Sequence, residues 1–287
     1  MRTFIITCAM AFLGISHGNE APTPPAVDLN TMTQDARCRQ ILVTCLVNGQ
    51  PMRMMLDTGA THTVLHKESA EKIKNAQWLD TSRIRFVGNA EQKPQILMGS
   101  LVAGSANASN FPFMVMDLSA TRSMMAEKMD GILGMDVLGQ LPFTFDLRNN
   151  SCYWGIPANG GALVPLYAKP DGTGRVIVQG KCAGKEVEML LDTGSSITRV
   201  AAEQWAPGAA AEVRAQMGDI NRTASIQVTE GKPGDMEIGP GVVVKNLTPI
   251  LCEKGGLTIM GMDALQGQVL VHIPAEDSPS GHFLLLK

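Results

Sequence analysis

The chain has no run of lysine or arginine, and its 24 basic residues are outweighed by 27 acidic ones, for a formal net charge of −3. That balance offers no electrostatic footprint to a nucleic-acid backbone, so no nucleic-acid partner is expected. Cysteine is scarce: six in 287 residues are too few and too scattered for a disulfide-stapled scaffold. No CxxC or Cys/His spacing marks a zinc site, and no HExxH pattern is present. His62 and His66, four apart, would make half a metal site on a helix, but no acidic third ligand stands near them. Neither a metal nor another cofactor is expected. Long hydrophobic runs are missing too. The apolar stretch from Phe4 to Ile15 is too short to span a bilayer as a stable helix.

What is present points to an exported, mostly β protein. The hydrophobic share of 45% is ordinary for a globular chain and rules out wholesale disorder. Glycine (29) and proline (16) set against only 18% charged residues suggest many turns and short strands. Arg2, the apolar run after it, and the small residues Ser16 and Gly18 have the grammar of a secretory signal peptide over residues 1–18. The mature chain is thus expected to be periplasmic or secreted, with no membrane span. Ala21-Pro22-Thr23-Pro24-Pro25 reads as a stiff spacer. Loss of Cys8 with the signal would leave five cysteines, so at least one is unpaired or pairs between chains.

An internal repeat organises the rest. Residues 41–65, ILVTCLVNGQPMRMMLDTGATHTVL, align without a gap on 176–200, VIVQGKCAGKEVEMLLDTGSSITRV, at an offset of 135. Eight of the 25 positions are identical, among them Asp57/Asp192, Thr58/Thr193, Gly59/Gly194 and Thr63/Thr198. Each copy reads as a strand, a turn at Asn48-Gly49 or Ala183-Gly184, and a second strand ending in Asp-Thr-Gly. Farther on, DGILGMDVL at 130–138 matches LTIMGMDAL at 257–265, now at an offset of 127. A repeat of this length is a duplicated lobe rather than a solenoid unit.

Two copies that each end an apolar strand in a carboxylate imply a pseudo-twofold pair, with Asp57 set against Asp192 at the lobe junction. Carboxylates a few ångströms apart cannot both ionise comfortably and share one proton. The ionised member can take a proton from a trapped water, and the protonated member can donate to a carbonyl oxygen. That is amide hydrolysis by direct water attack, without metal or covalent intermediate. The hydroxyls of Thr58 and Thr193 can hydrogen-bond across the junction. Gly59 and Gly194 allow the turn and bring main-chain N–H groups close to the carboxylates.

Leu-Asp-Thr-Gly-Ala at 56–60 and Leu-Asp-Thr-Gly-Ser at 191–195 resemble the paired active-site motifs of the aspartic protease superfamily. Ile132-Leu133-Gly134 and Ile259-Met260-Gly261 resemble its apolar-apolar-Gly motif behind each active loop. The first DTG segment is closer to the retroviral type and the second to the pepsin type. The resemblance covers roughly residues 40–275. It implies a mostly β, bilobal acid-protease fold, a cleft between the lobes and an extended polypeptide as substrate. Residues 39–155 and 175–287 are then the two lobes, 19–38 a proline-rich spacer and 156–174 a linker.

A pepsin-like flap tyrosine has no counterpart, since Tyr153 and Tyr167 lie between the lobes. The first flap is instead expected as the hairpin 84–91, its tip at Gly88 and Asn89, with Ile226–Lys232 as its match in the second lobe. His62 falls where the family lines a substrate subsite. Ser195, where the first copy has Ala60, is expected to hydrogen-bond Asp192, lower its pKa and give a mildly acidic optimum. Asp136 and Asp263 are expected to cap or flank short helices. Two other readings stand beside the enzyme: a catalytically silent peptide-binding protein of the same fold, and an oligomer whose lobes pair between molecules. Intact Asp-Thr-Gly triplets argue against the first, and the high effective concentration of lobes within one chain favours a monomer over the second.

Overall fold

The computed structural model describes residues 32–79, 95–157, 163–166, 168–170, 174–182, 184–218, 223–253, 256–275 and 278–286. The signal segment, the Pro-rich run and the expected flap hairpin 84–91, with Gly88 and Asn89, lie outside them. The fold is mostly β and bilobal. Its described strands form one sheet of thirteen and another of ten.

Each lobe starts from a hairpin whose turn chemistry is visible in the chain. Ile41–Val47 and Gln50–Leu56 pair antiparallel around Asn48 and Gly49, both at positive φ (48° and 73°). Asparagine and glycine tolerate that region, and such turns match the twist of the flanking strands. In the second lobe Val176–Cys182 pairs with Lys185–Leu191 beside Gly184 at φ 82°. The register is conserved at the sequence offset: Leu42 faces Met55, and Ile177 faces Leu190.

The apolar-apolar-Gly segments then enter as central strands. Gly131–Leu133 runs parallel to the second hairpin strand, with Leu56 opposite Leu133, and antiparallel to Val64–His66. Ile259–Met260 does the same beside Leu190 and Leu191, with Arg199–Ala201 on its other flank. A parallel partner on one side and an antiparallel one on the other hold the end of each Asp-bearing strand from both edges. Strands buried on both faces read as continuous apolar runs, which is how these segments read.

The two lobes share more than a junction. Val269–Ala275 pairs with Phe143–Asp146 of the first lobe, and Ser278–Leu286 folds back on it and pairs with Leu163–Pro165. The end of the chain therefore belongs to the thirteen-stranded sheet, and the second lobe as read from sequence divides between two sheets. The expected linker also carries strands, at Leu163–Pro165 and Ala168–Pro170, the latter on Val176–Val178. Order likewise begins before residue 39: Met32–Gln34 pairs with Gln34-facing Ile41 through Val43, and Met32 is buried. Apolar side chains with a sheet edge in reach decide these cases, where proline and glycine content suggested slack.

An aromatic cluster joins the shared strands. Phe143 stacks on Phe145 at 4.5 Å and on His272 at 4.8 Å, and Phe283 closes on His272 at 4.7 Å. The buried His272 ring bonds the Leu141 carbonyl through Nδ1 at 2.7 Å. Methionines, including Met54, Met129, Met189, Met236 and Met260, fill core positions. Cys38, Cys45, Cys152, Cys182 and Cys252 are all free thiols. No helix among the described residues is long and apolar enough to cross a membrane.

Because Phe283 is buried against Phe143 of the first lobe and against His272, Phe283→Ala is expected to destabilise the whole protein by about 3–5 kcal/mol. Urea denaturation measures this. A loss under about 1 kcal/mol would mean that the last strands are not integral to the first lobe's sheet.

Candidate active site

Asp57 and Asp192 sit at the ends of equivalent strands, and each is cradled by its own loop. Asp57 Oδ1 accepts the N–H groups of Gly59 at 2.8 Å and Ala60 at 3.1 Å. Asp192 Oδ1 accepts those of Gly194 at 2.9 Å and Ser195 at 3.1 Å. Their own N–H groups donate backward, Asp57 to Leu133 O and Asp192 to Met260 O, both at 3.1 Å. The Gly motifs thus fasten each aspartate's main chain.

The buried Thr58 and Thr193 tie the loops together. Thr58 Oγ1 donates to Leu191 O at 2.7 Å and accepts the Thr193 N–H at 3.1 Å. Thr193 Oγ1 donates to Leu56 O at 2.9 Å and accepts the Thr58 N–H at 3.1 Å. Each glycine is where the other lobe's carboxylate needs room. A Cβ on Gly59 would come within 2.5 Å of Asp192 Cγ, and one on Gly194 would strike Asp57 as closely.

Burial, the largest cause, pushes both carboxyls above the ordinary aspartate range; for Asp57 the facing charge of Asp192 adds to the shift. Each carboxyl packs against the other loop's glycine, and Asp192 is drawn partly back by its interaction with Asp57, by its two N–H donors and by Arg199 behind it. Raised pKa values on two facing carboxyls favour one shared proton between them.

Behind each loop stands a clamp. Thr63 donates its N–H (2.8 Å) and hydroxyl (2.7 Å) to Asp136, while its Oγ1 accepts the Gly134 N–H at 3.2 Å. Thr198, Asp263 and Gly261 repeat the set at 2.8, 2.5 and 3.2 Å. A Cβ on Gly134 would meet the His62 carbonyl, and one on Gly261 the Ile197 carbonyl. Glycine at both positions lets the motif strand lie directly under the loop. Asp136 and Asp263 flank short helices, but Gly134 and Gly261 occupy the cap positions without any side-chain cap bond. Both aspartates turn toward threonine, since a carboxylate accepts two donors there. Thr63 and Thr198 are identical positions of the repeat, which marks these residues in the sequence but not the clamp they form.

Other expectations change. The Ser195 hydroxyl donates to Ile197 O at 2.9 Å, not to Asp192, whose Oδ1 already takes two main-chain donors. The supposed asymmetry with Ala60 therefore vanishes, because Ala60 and Ser195 serve their aspartates equally through N–H groups. His62 and His66 share no helix: His62 is exposed beside the Thr61 hydroxyl at 2.7 Å, while buried His66 ends a strand and accepts the Leu118 N–H. Ile226–Gly231 falls within the strand Thr223–Gly231, which pairs antiparallel with Ala209–Gly218 as one arm of a hairpin. Gly231 lies against the Trp205 indole, which anchors that end. Among the described residues no three His, Cys, Asp or Glu side chains are grouped to hold a metal. Gln40, unmarked in the sequence, donates through Nε2 to Gly194 O and Ser196 Oγ, both at 2.9 Å.

Two β lobes that bring Asp-Thr-Gly loops together over parallel Gly-motif strands define the aspartic-protease fold. Residues 43–137 match the family described as "Aspartyl protease", so that segment is similar to the aspartic-protease superfamily, of the retropepsin-like kind. A stretch of 139 residues is 27% identical to Protein DNA-DAMAGE INDUCIBLE 1 of Arabidopsis thaliana, covering 47% of this chain and 31% of the relative. The chain thus aligns with under a third of that protein's length.

Thr58→Val and Thr193→Val should each cost about 1–3 kcal/mol, because each strands a buried carbonyl and N–H across the junction. The double variant should cost clearly less than the sum, since both belong to one network. A thermal-unfolding double-mutant cycle reads this; strict additivity would contradict the coupling.

Proposed function

We propose that this protein is an aspartic endopeptidase that cleaves an extended polypeptide by direct water attack. The observation that carries the reading is the facing pair of Asp57 and Asp192, each packed against the other loop's glycine and held by reciprocal threonine bonds. The ionised member takes a proton from a water between them as that water's oxygen bonds to the scissile carbonyl carbon. The protonated member gives its proton to the carbonyl oxygen, forming a neutral tetrahedral intermediate. Collapse breaks the C–N bond as the pair gives its proton to the amine and takes one back from a hydroxyl of the intermediate, which becomes the new carboxyl, so the pair ends singly protonated as it began. Thr58 and Thr193 hold the geometry, and Gly59 and Gly194 admit the carboxylates.

Because burial raises both carboxyls, the singly protonated window sits above the ordinary aspartate pKa of about 3.9. A mildly acidic optimum follows from burial, where the sequence suggested the Ser195 hydroxyl. An activity maximum near about pH 2 would contradict it. Both aspartates come from one chain, which supports a monomer as the working unit. His62, exposed on the first active loop, is the residue we assign to contact a substrate side chain.

Cleavage of a diverse peptide mixture by the chain lacking residues 1–18, from about pH 3 to about pH 8, tests the reading. Asp57→Asn and Asp192→Asn should each reduce the rate by about 10²–10⁴-fold or more, and a statine-type inhibitor should block the wild type. A folded, monomeric wild type that cleaves nothing would favour the silent peptide-binding protein.

Export completes the proposal and is supported by the first eighteen residues alone. Cell fractionation with N-terminal sequencing should find the protein outside the cytosol and beginning near Asn19. An intact N-terminus in the cytosol would overturn it.

A further inference from the structure

We propose that Gln40, a first-lobe residue, is a positioning residue for Asp192, acting through the peptide unit between Gly194 and Ser195. This rests on the reading of Asp57 and Asp192 as the reacting pair. The N–H of that peptide, from Ser195, donates to Asp192 Oδ1 at 3.1 Å. Its C=O, from Gly194, accepts from Gln40 Nε2 at 2.9 Å. A hydrogen bond at the carbonyl end polarises a peptide and strengthens the donor at its other end. Gln40 thereby favours the ionised form of Asp192 without touching it.

The amide is fixed from both sides. Nε2 donates a second bond to Ser196 Oγ at 2.9 Å, so two anchors on the second loop share one donor group. Gln40 is only 6% exposed, and its Oε1 is buried with no partner among the described residues. An unpaired buried acceptor is a cost, set here against the two bonds from the donor end. The Gln40 carbonyl accepts the Asp35 N–H at 2.8 Å. Asp35, almost wholly buried, gathers the N–H groups of Arg37 (2.9 Å), Cys38 (2.8 Å), Ala126 (2.9 Å) and Glu127 (2.8 Å). The turn that carries Gln40 is therefore rigid. Gly194 also backs directly on Asp57, so a shift of this peptide reaches both carboxylates.

The arrangement is not symmetric. At the offset of 135 the position of Gln40 is held by Arg175, just ahead of Val176–Cys182 as Gln40 is just ahead of Ile41–Val47. A neutral amide thus serves the second loop where the chain has a guanidinium at the mirrored place. The ionisable groups that bear on Asp192 are Asp57 across the junction and Arg199 on Arg199–Ala201. On Gln40's side stand Asp35 and the Cys38 thiol, the latter near Ser196.

Gln40→Met keeps the volume and removes the donor; Gln40→Arg keeps a donor and borrows the mirrored residue. In the chain lacking residues 1–18, pH profiles of kcat and KM would be measured alongside carboxyl NMR titration of 13C-labelled aspartate. The Met variant should move the acidic limb of kcat up by about 0.5–1 pH unit and lower kcat about three- to tenfold, with KM changed by under about twofold. The Asp192 carboxyl titration should rise in parallel. The Arg variant should return both to the wild-type position or below it. An acidic limb and an Asp192 titration that stay put in the Met variant would overturn the proposal, whatever happens to stability. So would an Arg variant that shifts upward like Met. If the wild type has no peptidase activity, the endopeptidase reading fails, and the NMR titration still decides the role of Gln40.

Discussion

Two like-charged groups share a partly enclosed site only if something else holds them there, and in this protein the reciprocal bonds of Thr58 and Thr193 do so. Each threonine accepts the other's N–H and donates to a carbonyl of the opposite lobe. Neither loop can complete its own hydrogen bonding. Each aspartate is cradled by its own loop, and the threonine bonds then fix the two loops against each other. Backing strands, clamps and shared sheet all serve to present those four groups in register.

The support is layered. Nearest the carboxylates are main-chain N–H groups, which carry no side-chain entropy and so hold charge at low cost. Under them lie Gly134 and Gly261, whose lack of Cβ lets a strand pass beneath the loop. Behind those, buried Asp136 and Asp263 each take the N–H and hydroxyl of a threonine. These two would be uncomfortable as isolated charges, and burial does push both upward. Their threonine donors offset part of that penalty. The wider frame is the thirteen-stranded sheet, into which the chain returns at Val269–Leu286 after building the second lobe. Relative motion of the lobes is limited by that continuous hydrogen-bonded sheet as well as by the junction.

A near-symmetric site still needs a bias if one carboxylate is to act as base and the other as acid. The expected bias, Ala60 against Ser195, is absent, because both positions contribute only a main-chain N–H. What differs between the halves lies one step farther out. Arg199 stands behind Asp192 where the first copy has Val64, and Gln40 grips the second loop while Arg175 occupies the mirrored position. The two halves thus differ in residues around the repeat's identical core rather than within it.

The sequence alone determined the class of fold, the two Asp-Thr-Gly loops, their Gly-motif partners and the apolar hairpins that carry them. These are local patterns, written twice, and repetition distinguishes them from chance. It also marked Thr63 and Thr198, although not their carboxylate partners' role as clamps. Only the tertiary structure decided which strands the chain's end would join, where the hydroxyl of Ser195 would turn, and that Gln40 would cross to the other lobe. Those outcomes depend on competition between donors and acceptors far apart in sequence, and on which sheet edge an apolar strand finds first. A one-dimensional pattern carries the identity of each group but not the neighbours that three dimensions bring to it.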